Sequence, residues 1–140
     1  MHSETAMAIA KGREWMSYKR YVVELGYGAD LHGANATTAA KRAVKDAISR
    51  SCLCGLFDIV GIEDPNAMHV KVKIGCPRPE EVNGKEVLEV LPFGSSELEV
   101  VEGGLLTQGL EVPALGSGDN ILVAVASLTV CVDLDEFRKP

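Results

Sequence analysis

Aromatic residues are scarce, 5% of the 140 positions with a single tryptophan. The interior must therefore be filled by Ala, Val, Leu and Ile, and a surface that stacks nucleobases on aromatic rings is excluded. Basic charge is also short. Fourteen Lys and Arg face twenty Asp and Glu, a net charge of −6, which disfavours nucleic acid or an anionic membrane as a partner. Long apolar runs are missing as well. The stretch at residues 6–10 is too brief for a secretory core or a spanning helix, so the chain is expected in the cytoplasm. Four cysteines lack any Cys-x-x-Cys spacing. Cys52 and Cys54 are two apart near a predicted helix end and point away from each other, so reduced, mostly buried thiols are expected and no metal centre. No motif names a cofactor: the Gly-Lys-Ser/Thr of a phosphate-binding loop is absent, and the dinucleotide fingerprint lacks its third glycine.

What is present suits one α+β domain over residues 18–140, preceded by an extension over residues 1–17 without strong periodicity. Residues 18–25 alternate as a strand, which Gly26 and Gly28 are expected to stop. Asn35 or Thr37 then caps a helix predicted over residues 35–54, with Ala36, Ala40, Val44, Ala47, Ile48 and Ser51 on one narrow face. Residues 68–76 are the cleanest strand, with Met68, Val70, Val72, Ile74 and Cys76 on one side and His69, Lys71 and Lys73 on the other. Asn83-Gly84 fits a hairpin or the cap of a short helix through Leu91, and the helix is the reading adopted. A strand carries Leu98 and Val100, another is expected within residues 105–112, and Gly116 to Asn120 supply a turn. Residues 121–132 are apolar on both faces apart from Ser127 and Thr129, which marks a central strand. The predicted architecture is a mixed sheet covered by one long alanine-rich helix and a shorter one.

The candidate site is the passage from the first strand into that helix, Gly26-Tyr27-Gly28-Ala29-Asp30-Leu31-His32-Gly33. A helix start presents unpaired N–H groups and the positive end of the dipole, which suits a carboxylate or phosphate. Asp30 and His32 share a side in an extended turn, so the acid can fix the tautomer of the imidazole. They are the candidate catalytic pair, with Gly26, Gly28 and Gly33 as backbone that approaches a ligand. His69, Lys71 and Lys73 form a cationic strand face that can cradle an anion where another subunit roofs it. Each feature has a plainer explanation: Asp as a turn former, lysines as a solvated surface, Cys76 as a buried thiol. A metal site built from Asp30, His32 and His69 lacks the spacing of a chelating motif.

The Gly-x-Gly-x-Asp-x-His-Gly pattern of residues 26–33 resembles the hallmark of a Lin-type family of conserved hypothetical proteins found in bacteria and plants. The likeness extends over about residues 18–134. It implies that Gly26, Gly28, Asp30, His32 and Gly33 act together, and it carries no assigned reaction. In layout the chain is also similar to chorismate-mutase-like trimers and to the toblerone unit of ring-opening amidohydrolases, although no lysine–serine pair of the latter maps onto it. That likeness implies a homo-oligomer, a trimer, with sites near subunit boundaries. Two functions follow as expectations. One is binding or conversion of a small anionic metabolite at the turn. The other is a non-catalytic structural or regulatory oligomeric module.

Overall fold

The computed structural model describes residues 18–137; the extension expected over residues 1–17 lies outside them. Strand β1 (Tyr18–Asp30) does not stop at its glycines but runs through both of them. Their use is steric. Helix α1 (Ala36–Ile48) lies across β1 with Ala39, Ala43 and Ala47 fully or almost fully buried. A Cβ on Gly28 would sit 2.6 Å from the Ala39 carbonyl oxygen, and one on Gly26 2.5 Å from the Ala47 amide nitrogen. Backbone therefore packs on backbone, a separation that only Gly against Ala permits.

The chain reverses between β1 and α1 within a few residues. Ala34 takes a positive φ of 47°, and Asn35 caps the helix by accepting from the Thr38 amide at 2.9 Å. The helix ends at Ile48, not near residue 54. Ser49 donates its amide to the carbonyls of Lys45 and Asp46 and its hydroxyl to that of Asp46, closing the last turn. Ser51, expected inward, is exposed, as are Cys52 and Cys54; only Cys76 and Cys131 are buried thiols. The apolar stretch that follows rejoins the core through Leu56, at the start of a single π-helical turn (Leu56–Val60).

The sheet is mixed, with five strands in an α+β fold. Strand β5 (Asn120–Asp133) is central, pairing antiparallel with β1 on one side and with β2 (His69–Cys76) on the other. Strand β3 (Ser95–Glu102) lies parallel to β2, and β4 (Leu105–Gln108), shorter than expected, pairs with the first residues of β5. Between β2 and β3 the chain crosses the helix-bearing face, where Asn83 caps the short helix α2 (Gly84–Leu88) and Val87 is buried. A further helical turn, α3 (Leu134–Phe137), follows β5. Val70, Val72, Ile74, Leu122, Ala124, Leu128, Val130 and Val132 form the sheet side of the core.

Strand β1 is an edge, and an open edge invites pairing with another chain. Here the helix closes part of it. Asp46 on α1 accepts the Tyr27 amide at 2.9 Å, and Arg42 donates to the Ala29 carbonyl at 2.7 Å. The ion pair with Arg50, then the Tyr27 amide, hold the Asp46 carboxyl below the usual carboxylate range.

Replacing Gly28 by Ala should cost about 3 kcal/mol or more, or prevent folding, because the helix must lift off the strand. Gly33→Ala meets only the Asp30 carboxylate, at 3.3 Å, and should cost less than about 1 kcal/mol. Urea unfolding of the two variants compares a packing glycine with a turn glycine in one motif.

Candidate functional site

The eight-residue motif divides into a strand half and a turn half. Gly26, Gly28 and Asp30 pair with Ala126, Ala124 and Leu122 and lie on the face covered by α1. Asp30 thus emerges beneath the helix start. Its Oδ2 accepts the Asn35 amide at 2.8 Å, and its Oδ1 lies 3.9 Å from the Arg42 guanidinium. The negative charge that a helix N-terminus favours is here supplied by the chain itself. Gly33 packs on the same carboxylate.

His32 has no part in that hydrogen bonding. It is half-buried, and its Nδ1 is shielded from solvent without a partner. The loop before β5 packs on it so tightly that a side chain at Gly116 would collide with the His32 carbonyl oxygen. Beside this turn lies a polar cleft of about 660 Å³, walled by residues 33–38 and by Lys41, Arg78, Glu81 and Glu86. Thr37 links its two walls, accepting from the Asn83 amide at 2.9 Å and donating to the Glu81 carbonyl at 3.3 Å. Arg42, Lys41 and Arg78 were absent from the candidate set. The helical phase of Lys41 and Arg42 was readable, but the approach of Arg78 depends on the β2–α2 connection.

His69, Lys71 and Lys73 lie elsewhere. They pair with Cys131, Thr129 and Ser127 of β5, on the face opposite α1, so the sheet separates them from Asp30. Within one chain, Asp30 and His69 therefore do not meet at a shared metal or anion site. His69 is not a solvated surface residue either, being only 5% exposed. Its Nδ1 lies 2.6 Å from Ser95 Oγ, its Nε2 lies 3.4 Å from Glu97 Oε2, and Tyr18 meets the ring edge-on. Burial pushes the Glu97 carboxyl up, with Lys71 pulling it back and Glu99 adding to the rise. Burial likewise raises the thiol of neighbouring Cys131. Lys73 pairs with Glu99 at 3.8 Å.

The order Ser95, His69, Glu97 is that of a hydrolytic triad. Its origin is simpler. His69 is in register with Ser95 on a parallel neighbour, and Glu97 is the next residue on the same face. The Ser95 amide donates to the Met68 carbonyl at 3.2 Å and is not left for a substrate oxyanion. Ser95 follows Gly94 without a nucleophile-elbow pattern, and its meeting with His69 and Glu97 is not readable because the parallel register of β2 and β3 is written in neither strand alone.

The two motif side chains should respond differently to mutation. Asp30→Ala removes a charge-assisted bond to the helix start and should cost about 1–3 kcal/mol. His32→Gln removes no described hydrogen bond and should stay within about 1 kcal/mol of the parent in chemical denaturation.

The comparisons agree with this fold. The model of a family described as conserved hypothetical protein, Lin0512, matches residues 20–130. A crystal structure of an FtsZ-like protein of unknown function from Nostoc punctiforme is 42% identical, covering 83% of this chain and 97% of its own, with a TM-score of 0.76. No curated protein matches. A family match over residues 20–130, together with a solved relative of the same fold, identifies the chain as a member of the Lin0512 family.

Proposed function

We propose that this chain is a self-associating module of the cytoplasm, one domain over residues 18–140, whose Gly-x-Gly-x-Asp-x-His-Gly segment is a structural joint. The observation that carries the reading is the bare face of the sheet. Val23, Leu25, Tyr27, Leu105 and Val125 all lie on the side away from α1, and Leu25 and Tyr27 are 66% and 64% exposed. Large apolar side chains contiguous on a strand face mark a surface that another protein covers. A second copy of the chain is the occupant we favour. The edge of β1 is partly closed by Asp46 and Arg42, so the apolar face is the contact surface we favour. The likeness in layout to chorismate-mutase-like trimers favours three subunits, by fold-level analogy.

Light scattering at micromolar concentration should give about three times the 14.9 kDa chain mass. Leu25→Glu with Tyr27→Glu should return it to a folded monomer. A monomer in the parent protein ends the proposal.

A second reading rests on a separate observation: the unpartnered Nδ1 of His32 beside a cleft that carries Lys41 and Arg78. In this reading the cleft binds a small anionic metabolite. His32 and Asp30 serve donor and orienting roles, Gly26, Gly28 and Gly33 shape the backbone, and Lys71 and Lys73 act only across a subunit boundary. Millimolar phosphate, malonate or citrate should then raise the melting temperature, and Arg78→Ala or His32→Gln should cancel the rise. An equal rise in parent and variants contradicts it.

A further inference from the structure

A second cavity, of about 440 Å³, opens beyond the C-terminal end of α1 and is built unlike the polar cleft. Leu128 and Val130 of β5 form its floor, on the core side of the sheet. Eleven of its thirteen lining residues are apolar, so a ligand there gains by desolvation and not by many polar contacts. Two of the three phenylalanines in the chain, Phe57 and Phe93, line it, and both stay more than 40% exposed. Pro65 and Pro92 stiffen the surrounding loops. Phe57 lies on the π-helical turn, a local geometry that is rare and frequent at functional sites. The two polar residues, Glu24 and Ser51, stand together, with the Ser51 hydroxyl donating to one Glu24 oxygen. Among the thirteen, Glu24 is the single charged one.

We propose that this cavity is a binding site for a small amphiphilic amine, with an aliphatic chain or one ring against the Phe57, Phe93 and Leu128 surface and the ammonium on the Glu24 carboxylate. The sign of the charge follows from Glu24: an anion of the same shape would meet a like charge in an otherwise apolar wall, while an ammonium gains a charge-assisted bond. The site is separate from the turn at residues 26–33 and prefers a ligand of opposite charge to the polar cleft.

The test is calorimetric titration of the full chain with octylamine, octanol and octanoate, which share one apolar body and differ in charge. Octylamine should bind one per chain, at least about tenfold more tightly than octanoate. Glu24→Gln should remove that preference while leaving octanol binding in place. Ser51→Phe, at an exposed position that needs no core rearrangement, should block all three, and it decides the matter if Glu24→Gln does not fold. Equal affinities for octylamine and octanoate, no octylamine binding at millimolar concentration, a preference that survives Glu24→Gln, or binding that survives Ser51→Phe would each overturn the proposal.

Discussion

The contact between the two glycines of β1 and the alanines of α1 sets the geometry on which the rest depends. Because Gly26 and Gly28 lack side chains, the helix backbone settles directly on the strand, where a Cβ at either position would collide with it. That closeness brings the helix side chains within reach of the strand edge. Asp46 can then take the Tyr27 amide and Arg42 the Ala29 carbonyl, bonds that a helix held farther away would not make. It also sets Asp30 under the first turn, where the carboxylate satisfies the Asn35 amide. Gly26, Gly28 and Asp30 are thus explained by packing and capping before any ligand is considered.

Much of this was legible in the sequence, and the failures are instructive. The alternation of residues 68–76 and the doubly apolar residues 121–132 gave β2 and the central β5 almost to the residue, because period-two patterning is local information. The alanine face gave the helix and its buried side. Gly26 and Gly28 were misread as strand stops because glycine has two uses, conformational freedom and absence of bulk, and only the partner across the gap tells which applies. The predicted helix runs six residues past Ile48 because Ser51 keeps the helical spacing, whereas Ser49 closes the turn through hydrogen bonds that no periodicity records. His69, Lys71 and Lys73 share one face, as their alternation indicates, but the sheet lies between that face and Asp30. Relative facing of two strands is settled by register, and register is a property of pairs.

The two faces of the sheet carry different chemistry. The α1 side is closed by small aliphatic residues, with a polar cleft at one end of the helix and an apolar cavity at the other. The opposite side grades from apolar at β1 to the paired charges of β2 and β3, where Lys73 meets Glu99 and His69 meets Glu97. An aromatic-poor chain has few large side chains with which to build binding surfaces. Several of them stand exposed on this bare face or around the apolar cavity, Tyr27 on the first and Phe57 and Phe93 on the second. These are the side chains that the proposed self-association and the proposed cavity ligand would cover.

Native-state hydrogen exchange tests the glycine–alanine contact most directly. If helix and strand share one backbone-to-backbone interface, the amides of Ala43, Val44 and Ala47 should exchange only through global unfolding, with the same protection free energy as Leu128 and Val130 in the central strand. Protection of the helix lower than that of β5 by about 2 kcal/mol or more would mean that α1 opens on its own, and would contradict a fold built on this contact.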